Sequence, residues 1–331
     1  VRLHRSRAEA ILLLGTAAGA LAGTLASLGH VAWWLELFSH FRPQYAVWLA
    51  LCGIGLLALR RPALGIAALL LGLANALPLL HYYGETPIRP APRGEALDAV
   101  LLNLFFYNGD HGRVVGYLQE TGPDLAVLLE VTPAWREALH AVAGELPYQA
   151  QAGDVLVASR LPLAGVRAVT LPSGEASAIL LRVRAGESEL TVIGTHANWP
   201  LGPRMSRNRN RELGALGTLA RSVEGPLLVL GDLNVTAFSP VFRHLLSRGR
   251  LADCAAGRGW HPTWPSWFPP LYLQIDHCLA SPGVAIARFG TGPYVGSDHY
   301  PVEVSVQVEP GAATPAAGAV TAAARRPTSR R

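Results

Sequence analysis

The sequence predicts an α/β domain of mixed sheets covered by helices, set behind about three transmembrane helices. Three observations carry this expectation. Uncharged apolar runs crowd the chain before residue 83, some long enough to cross a bilayer. Beyond residue 97, continuous apolar strands, alternating strands and helical patterns interleave, as in mixed sheets with helices on their faces. Short strand ends also gather acids: Glu130, Asp232 and Asp276 each follow an apolar run, and Asp298 precedes one. Carboxylates collected at strand ends need a cation among them.

Composition bounds the remainder. A chain of 331 residues has room for one large domain or two small ones. Half of it, 50%, is apolar, and the excess lies in the first stretch. The net charge of +5 is local, because Arg325, Arg326, Arg330 and Arg331 stand in a tail without acids and the rest carries only +1. A basic tail is weak support for nucleic-acid binding. Three cysteines do not make a disulfide framework: Cys52 lies in an apolar run, and Cys254 and Cys278 pair or stay free.

Residues 1–83 read as a transmembrane region with spans at about 10–33, 43–59 and 63–81. The first run covers a bilayer core of about 30 Å at about 1.5 Å per helical residue. Trp33, Trp34 and Phe38 close it like an interfacial aromatic belt. A cleaved signal peptide accounts for the first run alone, and a buried bundle is the other alternative. Arg2, Arg5 and Arg7 precede the first span, while Arg60 and Arg61 separate the second from the third. Three spans place both groups on one side, the cytoplasm, and the rest of the chain on the extracytoplasmic side. Arg42, Arg89 and Arg93 oppose this in part.

Residues 84–96 are a Pro-rich linker, extended and stiff. A domain over 97–308 follows. Strands are expected at 99–104, 125–129, 155–159, 178–183, 190–195, 226–230, 273–279 and from 302. Helices are expected at 112–121, 134–143, 206–222 and 240–248. The tail, 309–331, has no periodicity and reads as disordered.

Glu130 ends a buried strand and so presents an acid at a rim, although a capping or ion-paired Glu would look the same. Asn103 interrupts the first strand, and its amide needs a partner: a core group, a metal or a metal-bound water. In Gly231-Asp232-Leu233-Asn234 the two polar side chains project to one side of an extended chain, toward one phosphate or one water. An Asx-turn is the competing reading. Asp276-His277 and Asp298-His299 provide two acids and two imidazoles, enough for a carboxylate that fixes a histidine tautomer and strengthens it as a base. His196 ends the strand at 190–195, where a lone His is catalytic or simply structural.

In order, Asn103, Glu130, Ser159-Arg160-Leu161-Pro162-Leu163, Thr195-His196, Gly231-Asp232-Leu233-Asn234, Ile275-Asp276-His277 and Ser297-Asp298-His299-Tyr300-Pro301-Val302 resemble the motif series of the endonuclease/exonuclease/phosphatase superfamily. The resemblance spans 97–308 and leaves the N-terminal spans outside, as in membrane-attached bacterial members. It implies a DNase I-like two-sheet α/β sandwich flanked by helices that hydrolyses phosphoester bonds with Mg²⁺ or Mn²⁺. It implies that Asn103 and Glu130 hold the metal with help from Asp298, and that Asp232 and Asn234 position or deprotonate the attacking water. It further implies that Asp276 orients His299, as base or phosphate holder, and that His196 stabilises phosphate oxygens or protonates the leaving group. Mg²⁺ suits such a set, since it takes oxygen ligands, keeps several waters and needs few carboxylates. Asn108 competes with Asn103 for the first motif, and the acid that many nucleases carry after that Asn is missing.

Substrate is less defined. Asn198 follows His196, and Arg204 and Arg207, with Arg209 and Arg211, either steer a phosphate-rich ligand or start an exposed helix. Trp264, in a Pro-rich aromatic loop, stacks on a base, dips into lipid headgroups or caps the core. The expected partners are a phosphoester substrate, either nucleic acid, nucleotide or phospholipid, and the bilayer around the N-terminal helices. No obligate protein partner is indicated. The alternative is a catalytically silent membrane-tethered binding module of the same fold, against which the filled motif positions argue. Three spans without intramembrane charge argue against a transporter component.

Overall fold

The computed structural model describes residues 2–84, 96–172, 176–185 and 188–308. The tail at 309–331 and nearly all of the linker lie outside these described residues.

The N-terminal region folds into α1 (Arg2–Ser27), α2 (Trp33–Ser39), α3 (Arg42–Ala58), α4 (Pro62–Ala76) and a short α5 (Leu80–Tyr83). Two helical stretches, Ser6–Ser27 and Pro62–Tyr83, are long and apolar enough to cross a membrane, and α2 with α3 makes a third only as a pair bent by 61°. Ile11, Leu14, Val47, Leu51, Ile54, Leu70 and Leu73 are exposed on the outside of this bundle, an apolar belt that water would not favour. The expected first span at 10–33 is too long. The helix stops at Ser27, residues 28–32 turn, and Trp33 and Trp34 open a separate helix. Inside the bundle, Gly53 and Gly65 let α3 and α4 approach closely, because a side chain on either would meet the carbonyl oxygen of the other.

The rest of the chain runs β1 (Leu97–Asn103), α6 (His111–Thr121), β2 (Leu125–Leu129), α7 (Pro133–Leu139), β3 (Tyr148–Ala152), β4 (Val155–Ser159), β5 (Ala164–Thr170), β6 (Ala176–Ala185), β7 (Ser188–His196), α8 (Pro203–Ser222), β8 (Leu227–Asp232), α9 (Pro240–Gly249), β9 (Ala252–Asp253), β10 (Asp276–Ala280), β11 (Val284–Thr291) and β12 (Val302–Val308). These strands form two six-stranded sheets, ordered β11-β12-β1-β2-β4-β3 and β5-β6-β7-β8-β10-β9. Each sheet has a central parallel pair, β1 with β2 or β7 with β8, and antiparallel neighbours on both sides. The fold is the α/β sandwich of the DNase I-like class.

Alternation assigns the faces. Ala99, Leu101, Leu125, Val127 and Leu129 belong to the core that also takes Val192, Leu228 and Leu230 from the second sheet. Their neighbours Val100, Leu102, Ala126 and Leu128 pack with Val114, Leu118 and Trp135 of α6 and α7. Being covered on both faces is why β2 reads as an unbroken apolar run. The parallel pairs deliver their C-terminal ends to one edge of the sandwich, and the polar strand ends collect there.

Candidate active site

Asn103 ends β1, Glu130 follows β2, His196 ends β7 and Asp232 ends β8. Asp276 opens β10 directly opposite Asp232, and His196 pairs with Asp232 from the other side. The three therefore form one row across the second sheet. Gly231 makes this row possible, since a Cβ there would run into the carbonyl of Thr195 on β7. Asp298 and His299 come from the turn that enters β12 in the first sheet. Ser297 fixes that turn: its hydroxyl donates to the Asn103 carbonyl at 2.7 Å and accepts the His299 amide at 3.0 Å.

Two imidazole–carboxylate pairs result. His299 Nδ1 lies 2.7 Å from Asp276 Oδ2, and His196 Nδ1 lies 2.6 Å from Asp154 Oδ2. Each pair crosses the sandwich. His299 belongs to the first sheet and Asp276 to the second, whereas His196 belongs to the second and Asp154 to the turn before β4 in the first. Burial alone would lower the His299 pKa, but the charge and hydrogen bond of Asp276, with Asp232 and Asp298 behind them, raise it to about 10. Burial likewise opposes protonation of His196, yet the Asp154 hydrogen bond and the charges of Asp232, Asp154 and Glu130 raise it to about 9. Asp232 is raised as well, which for an acid favours the neutral form. Burial and the charge of Asp276 push it up to about 6 against the pull of both imidazoles.

Oxygen donors that suit a divalent cation converge here. The Asn103 amide nitrogen sits 3.0 Å from Glu130 Oε1 and 3.3 Å from Asp232 Oδ2 while its oxygen accepts the Phe105 N–H, so the amide marks the point where the two carboxylates meet. Asp298 Oδ1 and Asp276 Oδ1 are buried without a hydrogen-bond partner. Asp298 has its pKa raised, chiefly by burial. Asp232, Asp276 and His299 also present ligand atoms within 4.8 Å of one another. That triad overlaps the His299–Asp276 hydrogen bond, which leaves Asn103, Glu130 and the unpartnered Asp298 Oδ1 as the other candidates for holding a cation. Glu130 and Asn234 both hold left-handed backbone, φ +59° and +49°, which non-glycine residues adopt at a cost and which often marks functional positions.

The remaining sequence candidates divide. Trp264 donates its indole N–H to Asp298 Oδ2 at 3.1 Å and so holds an acid of the site. Asn198 is occupied by Glu212, which accepts from both its amide nitrogen and its backbone N–H. Arg204 and Arg207 are exposed on the first turns of α8, but Arg209 is fully buried and ion-paired with Glu36, so it does not steer a ligand. Asn108 bonds to the Leu104 carbonyl and the Asp110 amide, away from the acids, leaving Asn103 at the site. Asn234 donates from its backbone to Asp232 Oδ1 at 2.9 Å, so the competing Asx-turn is present, and Asp232 Oδ2 is the oxygen that faces Asn103 and both imidazoles. His277 points away, to the Val235 carbonyl. Asp154 was not singled out by sequence, because Gly153-Asp154 between two strands carries only a turn signal.

Cys254 and Cys278 form a disulfide beside this sheet. Among solved structures, the chain resembles an endonuclease/exonuclease/phosphatase from Beutenbergia cavernae (18% identity, TM-score 0.54, covering 65% of this chain and 72% of that one). It also resembles sphingomyelinase C from Streptomyces griseocarneus (18% identity, TM-score 0.50, 64% and 99% covered). A variant Staphylococcus aureus beta toxin with bound magnesium ions matches at 14% identity and TM-score 0.50, covering 64% of this chain and 99% of that one. A comparison with curated protein sequences finds no significant match. The model of the Endonuclease/Exonuclease/phosphatase family matches residues 100–299, from β1 to the second imidazole of the site. With more than half of its length under that match, the chain belongs to the endonuclease/exonuclease/phosphatase family.

Proposed function

We propose that this protein is a membrane-anchored, Mg²⁺- or Mn²⁺-dependent phosphoesterase with its active site on the extracytoplasmic side. The observation that carries the chemistry is the convergence of two acid-paired imidazoles on Asp232, beside a cluster of oxygen donors. Water attacks phosphorus, the ester P–O bond breaks, and the leaving oxygen takes a proton. Asp232, with its raised pKa, accepts the proton of the attacking water, and Asn234 holds the loop that aims it. His299 and His196, protonated on their carboxylates, donate to the phosphoryl oxygens and the leaving group. Asn103, Glu130 and Asp298 would hold the cation, which when bound neutralises charge on the phosphoryl group.

Anchoring rests on the apolar helices, and orientation on where their ends lie. Arg61 pairs with Glu9 at 2.7 Å, so the start of α1 and the α3–α4 turn share one arginine-rich end. The opposite end, at α2 and α5, meets the catalytic sandwich. The disulfide supports the same side, since such bonds persist in oxidising compartments. A bilayer-borne phosphoester is favoured over nucleic acid by the loop at 264–272. Trp267 is 70% exposed there, with Phe268 and Leu271 also exposed, and the loop is tied at one end to Asp298 by Trp264 and at the other to Gln44 of α3 through the Tyr272 carbonyl.

The test is hydrolysis by the full-length chain in nanodiscs, with Mg²⁺ or with EDTA, of bis(p-nitrophenyl) phosphate, an oligonucleotide, and phosphatidylcholine or sphingomyelin in vesicles. Metal-dependent turnover is expected, highest on lipid. No turnover on any phosphoester at saturating Mg²⁺ or Mn²⁺ would leave the silent binding module as the reading.

A further inference from the structure

We infer that Glu36 on α2, acting through Arg209 on α8, positions the catalytic loop at 232–239, so that the membrane-side region forms part of the active-site framework. This rests on the phosphoesterase reading above. Arg209 has 0% exposure and Glu36 2%. One guanidinium nitrogen of Arg209 donates to Glu36 Oε2 at 2.7 Å, and another donates to the carbonyl of Asn234 at 2.6 Å. Asn234 in turn holds Asp232 Oδ1 through its backbone N–H and the Ala197 carbonyl, after His196, through its side chain. A single cation thus links a membrane-side carboxylate to the two loops that carry Asp232 and His196.

The same region grips the loop twice more. Ser239 donates its hydroxyl to Glu36 Oε1 at 2.6 Å while capping α9 by accepting from Val241. His40 Nδ1 lies 3.0 Å from the Thr236 hydroxyl. Asn234, Thr236 and Ser239 are therefore all fixed, directly or through Arg209, by α2 and the residue that ends it. An ion pair this deeply buried is a poor source of stability, because apolar side chains of similar volume commonly serve as well or better. Charged hydrogen bonds do supply direction, and a guanidinium reaches two acceptors at fixed angles where an ammonium does not. Asn234 sits in left-handed backbone, a conformation that needs its surroundings to hold it.

The experiment compares three full-length proteins in nanodiscs: wild type, Arg209→Lys, and the double variant Glu36→Leu/Arg209→Met. Thermal unfolding, kcat and KM on the best phosphoester, and amide hydrogen exchange across 233–239 are measured. The double variant removes both charges together, so its melting temperature should stay near wild type. Its kcat should drop about 100-fold with KM little changed, as expected when a catalytic group is displaced by a fraction of its diameter. Exchange at 233–239 should quicken while the sheets stay protected. Arg209→Lys keeps the charge pair but loses one of the two contacts, so it should also lose kcat. Wild-type kcat together with wild-type exchange in either stably folded variant would overturn the inference and leave the pair a packing element. If the wild type hydrolyses nothing, the phosphoesterase reading fails, and hydrogen exchange alone decides whether Glu36 and Arg209 order the loop.

Discussion

The Nε2 atoms of His196 and His299 face the same oxygen of Asp232, at 3.9 and 3.8 Å. Each imidazole has its other nitrogen on a carboxylate, Asp154 or Asp276. Asp232 is thereby the meeting point of two acid-paired imidazoles, and exchanging an imidazole, its partner or Asp232 should disturb the site in distinguishable ways.

Asp276 and His299 should behave as one unit. His299→Ala is expected to lower kcat by about 10²–10⁴, the usual worth of a positioned acid–base group. Asp276→Asn should lose less, and the double variant little more than His299→Ala alone. A double-mutant cycle on turnover, with a Mg²⁺ titration of each variant, decides this. Losses that simply multiply, or a mainly altered Mg²⁺ requirement, would assign Asp276 to the metal instead.

Asp154 supplies the corresponding prediction for His196. In the proposed mechanism the imidazolium is the donor, and against the pull of burial the Asp154 hydrogen bond and nearby acids raise its pKa to about 9, favouring the charged form. In Asp154→Asn that support is gone, the His196 pKa falls, and the protonated form is lost earlier as pH rises. The alkaline limb of the kcat profile should therefore move to lower pH, with the acid limb unmoved. An unchanged alkaline limb would remove His196 from proton donation.

Glu130→Gln retains size but replaces a hard anionic oxygen by a neutral amide. Activity should collapse at limiting Mg²⁺ while thermal unfolding in EDTA stays close to wild type. Normal turnover at limiting Mg²⁺ would take Glu130 out of the cation site.

Topology is open to a direct check. A reporter fused after Glu85 should be active only outside the cytoplasm, and one placed between Arg60 and Pro62 only within it. The reverse pattern would turn the protein over in the membrane.

The eight strands legible in the sequence are the inner strands of the two sheets, and the four that were not, β3, β5, β9 and β11, are their edges. An inner strand is covered on one or both faces and so shows an apolar run or an alternation. An edge such as β5 lies nearly all in solvent and carries no such pattern. The site divides on the same physical line. Glu130, His196, Asp232, Asp276 and Asp298-His299 sit beside buried strands and stand out against them. Asp154 lies in a hairpin turn, where an acid is unremarkable. Glu36 carries no signal in the sequence, Arg209 reads as one of several arginines that steer a ligand or start an exposed helix, and the two meet only across 173 residues of chain.

Because each imidazole–carboxylate pair takes one member from each sheet, neither sheet by itself owns a working acid–base unit. A nascent chain that has built only one half of the sandwich carries a histidine without its acid and an acid without its histidine. The paired acid–base units therefore arrive last, when the two halves close on each other.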